Sequence, residues 1–174
     1  MRFAYGYHGT EQALADTILR DGFIPSTARG DWLGQGIYFW QDAPLRAWEW
    51  ARTQYGPNIA VIRARIRLDD CIDLLDIHWE GQMRRQFQAL GREYQQAGKP
   101  PPTQRTGYHV LDKELIDRTV RYYATKGIAI RCVRAAFVEG TPMFPTSALY
   151  DRAHVQIAVI DPQLITGIVQ FRLP

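Results

Sequence analysis

The feature that most constrains this chain is a pair of short aromatic strands, each carrying glycine and each leading into a helix. Residues 5–10 (Tyr-Gly-Tyr-His-Gly-Thr) read as the first strand and residues 36–40 (Gly-Ile-Tyr-Phe-Trp) as the second. After the first, Leu14, Ile18 and Leu19 recur at helical spacing, with Thr10 as the expected N-cap and Gly22 as the stop. After the second, residues 44–55 read as a helix, with Pro44 in its first turn and Gly56-Pro57 beyond its end. Residues 25–34 between the two units are punctuated by Pro, Ser, Gly and Asp and read as a loop.

Downstream, residues 59–68 alternate apolar residues with Arg63, Arg65 and Arg67, a strand with one wet face. Residues 71–75 suit a short strand or turn. The stretch 79–96 is polar and helix-compatible, and 99–107 is a proline-rich loop. Leu111, Leu115, Ile116, Val120 and Tyr123 mark a helix ended by Gly127. Residues 128–137, 154–160 and 165–173 complete a strand-rich C-terminal part. Strands at both ends with helices between them indicate an α+β domain spanning 1–174, with a polar helical insertion around 76–110.

Composition narrows the setting. Hydrophobic residues make up 46% and charged residues 22% of the 174, as in a globular chain with a sizeable core. No apolar run approaches the roughly 20 residues of a membrane span, and the N-terminus lacks the signal-peptide pattern. A cytoplasmic protein without a membrane partner is expected. Cys71 and Cys132 sit in apolar stretches outside any CxxC pair and read as buried free thiols. The four His and two Cys have no metal-ligand spacing, so no metal is expected. The net charge of +3 permits a polyanionic partner without requiring one.

His8-Gly9-Thr10 and Gly34-Gln35-Gly36-Ile37-Tyr38-Phe39 occur in order, about 30 residues apart, each ahead of a helix. This pattern resembles the diphtheria-toxin and poly(ADP-ribose)-polymerase branch of the ADP-ribosyltransferases, which has a His-Gly-Ser/Thr motif and a Gly-x-Gly-Ile-Tyr-Phe-like motif. The resemblance runs in order along the chain, though only three short motifs are specific. It implies two antiparallel β-sheets packed face to face around an NAD cleft, with flanking helices. His8 would bond the adenosine-side ribose, the Gly9 backbone would pair with the nicotinamide carboxamide, and Tyr38 would stack on the nicotinamide ring. Thr10, Phe39, Trp32 and Trp48 complete the implied contact set, Trp32 as a lid and Trp48 or Trp50 as a second stacking ring. These residue types suit a dinucleotide, since glycine admits close approach, an aromatic face receives a flat cation, and imidazole can donate and accept.

The family's third motif places a Glu on a late strand, where it bonds the nicotinamide ribose and stabilises the positive charge that develops as nicotinamide leaves. The matching residue here is Gln156, which can hold a hydroxyl but carries no charge and cannot act as a base. Three outcomes follow: slower transfer to an undemanding acceptor, a substitute carboxylate at Glu139 or Asp151, or binding of NAD or ADP-ribose without turnover. Polymer extension is not expected.

Arg63, Arg65 and Arg67, with Arg84, Arg85, Arg92, Lys99 and Arg105, form a candidate basic surface for nucleic acid, against which stands a solvated face paired with Asp69, Asp70 and Glu80. The leading expectation is an NAD-consuming mono-ADP-ribosyltransferase, acting on protein or nucleic acid as a toxin or defence effector. A lone toxin of this kind would need a neutralising partner protein. The alternatives are a non-catalytic binder of NAD or ADP-ribose and, ranked lower, an RNA 2′-phosphotransferase.

Overall fold

The computed structural model describes residues 2–25, 31–100, 103–104 and 109–173. Arg105 and parts of the loops at 25–34 and 99–107 lie outside the described residues. The elements are β1 (Phe3–Glu11), α1 (Gln12–Asp21), β2 (Ile37–Gln41), α2 (Pro44–Tyr55), β3 (Ile59–Arg67), β4 (Cys71–Asp73), α3 (Glu80–Gln96), α4 (Val110–Ala124), β5 (Cys132–Phe137), β6 (His154–Val159) and β7 (Ile165–Phe171). The chain is α+β. Among the described residues no helix is long and apolar enough to cross a membrane.

All seven strands join one mixed sheet in the order β4-β5-β6-β2-β1-β3-β7, antiparallel except for β4 with β5. The sequence reading expects two sheets, and the register explains the difference. β1 pairs with β3 along its whole length, but with β2 only at Gly6↔Gln41 and Tyr7↔Trp40. The sheet is thus one hydrogen-bonded object with a narrow waist between β4-β5-β6-β2 and β1-β3-β7.

Residues from both sides of the waist share one core. Ala4, Ala64 and Ile66 from β1 and β3 cluster with Ile37, Phe39, Ile157 and Val159 from β2 and β6. The period of two aims these side chains at one face. Each large apolar side chain buried there contributes about 1.5–3 kcal/mol relative to exposure. The opposite face of β3 carries Arg63, Arg65 and Arg67, as the alternation predicts.

Helices cover the sheet unevenly. α1 buries Ala15 and Ile18 against Ala60 and Ile62 of β3. Its N-cap is Glu11, without a side-chain bond, whereas Thr10 is buried in β1 opposite Ala60. The strand outcompetes the expected cap because β1 keeps its ladder with β3 up to Glu11. Gly22 does end α1, its N–H bonding the Ile18 carbonyl. α2 lies on Gly9, where an added Cβ would run into the Ala47 carbonyl oxygen and the Ala51 methyl. α4 covers the β5–β6 side with Ile116 packed among Val133, Ala135 and Ala158. The polar stretch expected around 76–110 contains α3, which is docked on α4: Leu90 is buried, and Arg118 forks onto Glu93 at 2.9 and 2.6 Å.

Cys71 and Cys132 face each other across the β4–β5 pair as free thiols. The neighbouring Cys71 side chain and burial both push the Cys132 thiol far above its ordinary range, so it is inert.

Candidate active site in the fork between two strands

Beyond Tyr7↔Trp40 the β1–β2 ladder opens. Continuing the register would set Gly9 opposite Tyr38, but these positions are not paired. One side chain bridges the opening: His8 Nδ1 lies 2.8 Å from the Tyr38 carbonyl oxygen. A carbonyl only accepts, so Nδ1 carries the proton and Nε2 of the neutral ring is left as an acceptor. Burial holds the His8 pKa below its ordinary value against the smaller opposing effect of that bond. The ring is fixed by Phe23 and Phe39, at centroid distances of 5.3 and 5.8 Å.

The fork opens into a cavity of about 560 Å³, within the range of small-molecule sites. His8, Gly9, Thr10, Trp32, Tyr38 and Gln156 all line it. Three separated sequence segments therefore meet at one place. Tyr38 is anchored through its hydroxyl, which accepts from Leu33 N–H and donates to the Gly34 carbonyl, both at 2.7 Å. Burial raises its pKa well above the usual tyrosine value, so the phenol stays neutral. Trp32 stacks near His109 at 3.8 Å and meets Phe137 edge-on at 4.9 Å.

Gln156 sits on β6 opposite Trp40. Its amide nitrogen is 3.0 Å from His154 Nε2, while His154 Nδ1 is 2.8 Å from the Arg152 carbonyl. The carbonyl fixes the histidine proton on Nδ1, so Gln156 donates to Nε2 and keeps its Oε1 as an acceptor. The cavity wall also holds two carboxylates, Asp31 and Glu139. Glu139 is gripped by Arg46 at 2.6 Å and lies 3.9 Å from His154 Nδ1. Arg46 also contacts Glu49, which Arg152 binds at 2.8 Å. Hydrogen bonding from Arg152, then from Arg46, outweighs desolvation and lowers the Glu49 pKa.

Two wall residues carry buried donors without a hydrogen-bond partner among the described residues, Trp40 Nε1 and Arg46 Nε. Each such donor costs about 1–3 kcal/mol, so this wall is polar ground left partly unsatisfied.

Other expected residues lie elsewhere. Phe39 is fully buried in the core, because β2 alternates and Phe39 points opposite to Tyr38 and Trp40. Trp48 lies outside this cavity; its ring takes the Arg52 guanidinium at 5.8 Å, and it lines a separate hollow with Asp151 and Arg152. Asp151 bonds Thr141 N–H at 2.8 Å and Arg152 at 3.1 Å. Trp50, two residues from Trp48, does line the cavity, as do Phe23, Trp40, Tyr55 and Arg46. The sequence reading missed Phe23, Tyr55 and Arg46 as wall residues. Trp50 had a legible signal: residues two apart on a helix cannot share a face, so only one of the two tryptophans could point inward.

In comparisons with known proteins, no family model and no curated protein sequence matches the chain.

Proposed function

We propose that the protein is an NAD-dependent mono-ADP-ribosyltransferase. The observation that carries this reading is the convergence of the His8-Gly9-Thr10 segment, Tyr38 and Gln156 on one cavity at the open β1–β2 fork. In this reading the waist of the sheet separates two half-sheets packed around an NAD cleft. The fit is chemical: the cavity combines aromatic rings, an open strand edge and hydrogen-bonding side chains, and part of its wall has unsatisfied donors.

NAD supplies the ADP-ribosyl group and nicotinamide as the leaving group. The glycosidic C–N bond breaks with its electron pair going to nicotinamide, and the acceptor bonds the anomeric carbon and gives up a proton. His8 Nε2 accepts from a ribose hydroxyl. The Gly9 backbone, unpaired on its β2 side, bonds the carboxamide. Tyr38 provides a ring face, with Trp50 as the second aromatic surface. Gln156 Oε1 accepts from the other ribose. The negative charge that Gln156 lacks comes from Glu139, one of two carboxylates in the wall with Asp31 and the one held beside His154, the partner of Gln156, whereas Asp151 belongs to the neighbouring hollow. Preorganised charge of this kind supplies roughly 10²–10³ in rate.

The test is nicotinamide release from NAD by the purified protein, compared with Glu139→Gln and Gln156→Ala. Release that falls roughly 100-fold in Glu139→Gln, with folding intact, is the expected result. NAD binding without release under any condition would leave a non-catalytic binder, the reading favoured by the neutral Gln156.

A further inference from the structure

On the sheet face opposite the shared core, the part of β1, β3 and β7 remote from Gly9 carries exposed side chains. Phe3, Tyr5, Arg65 and Val169 are exposed there and Arg63 is half-buried. Register brings the rows together: Tyr5 is opposite Arg65, Tyr7 opposite Arg63, and Arg63 opposite Val169. The guanidinium of Arg65 lies over the Phe3 ring at 3.7 Å, and that of Arg63 over the Tyr5 ring at 5.6 Å. Among the described residues, Arg67 alone of the three arginines on this face has a carboxylate partner, Asp69 at 3.7 Å, and it also donates to the Gln163 carbonyl. Among the described residues neither Arg63 nor Arg65 makes an ion pair, so the solvated, acid-paired face that the sequence also allows holds for Arg67 alone.

We infer that this face binds single-stranded nucleic acid. Two uncompensated guanidinium groups match phosphates in charge, and the interleaved Phe3 and Tyr5 rings, together with the flat guanidinium planes, offer stacking surfaces to unpaired bases. An acidic protein would use the charges but not the rings. A duplex buries its base faces and would also leave the rings unused. The basic residues of α3 expected to join this surface do not: sheet order places α3 and α4 over the β5–β6 side, three strands from β3. This inference does not rest on the NAD reading, since binding is measured without NAD.

The experiment is fluorescence anisotropy with a labelled 20-nucleotide single-stranded RNA and its DNA counterpart, each also as a duplex, at several salt concentrations. Inorganic polyphosphate and a poly-glutamate peptide serve as base-free competitors. Single strands should bind more tightly than duplexes. The double variant Arg63→Gln/Arg65→Gln should reduce the salt slope by about 1.4, or about 0.7 per lost phosphate contact. Tyr5→Ala should weaken binding at least about five-fold. Circular dichroism checks that each variant is folded. No single-strand binding at low salt, full displacement by poly-glutamate at equal charge, or binding indifferent to both variants would overturn the proposal.

Discussion

Two glycine-to-alanine substitutions should act in opposite directions. At Gly9 the new methyl would run into the Ala47 carbonyl oxygen and the Ala51 methyl. The carbonyl is helix backbone and cannot rotate away, so α2 must move as a body. Overpacking of this sort costs about 1–3 kcal/mol. The stiffer unfolded chain returns about 0.4–1 kcal/mol, leaving a net loss near 1–2 kcal/mol. Gly91 lies inside α3 with nothing within 4 Å of an added Cβ. Alanine there should stabilise by about 0.5–1 kcal/mol. Urea unfolding followed by circular dichroism reads both, with the transition midpoint moving down for Gly9→Ala and up for Gly91→Ala at an unchanged slope. A neutral or stabilising Gly9→Ala would refute the close seating of α2 on β1, and with it the geometry of the fork.

Two further substitutions probe the cavity wall. His8 is held neutral by burial, so the unfolded chain takes up its proton near pH 6.5 while the folded chain resists. Stability from this site is complete above that pH and is lost as the pH falls toward the depressed folded value. His8→Asn should therefore lose less stability than the wild type between pH 7.5 and 5.5 in urea titrations, and equal losses would contradict the burial. Tyr38→Phe removes a hydroxyl that serves Leu33 and Gly34 and should cost about 1–3 kcal/mol of stability. It keeps the ring, so NAD affinity should fall less than in Tyr38→Ala; equal falls would tie the residue's role to the hydroxyl.

Elements with local causes were legible. α2 occupies Pro44–Tyr55 as its proline start and glycine stop indicate, and β3 alternates as its arginines suggest. Pairing was not legible, because it depends on which strand edges meet. Nothing in residues 5–10 signals that β1 pairs fully with β3 and at only two positions with β2, yet that partial pairing creates the fork. Thr10 illustrates the same limit, with cap chemistry overruled by a continuing ladder. His8, Gly9, Thr10, Tyr38 and Gln156, singled out through the family resemblance rather than by residue type alone, do line one cavity. Arg46 and Phe23 were not legible, since an arginine in a helix and a phenylalanine after a glycine look like ordinary surface and core until the fold brings them to the cavity.

Calorimetric titration of NAD into the purified protein tests the central claim most directly. One molecule of NAD per chain should bind, and Trp50→Ala should weaken it by roughly two- to ten-fold, the worth of an aromatic contact, while Trp48→Ala leaves it unchanged. No heat of binding, or equal weakening by the two tryptophan variants, would contradict an NAD site at the β1–β2 fork.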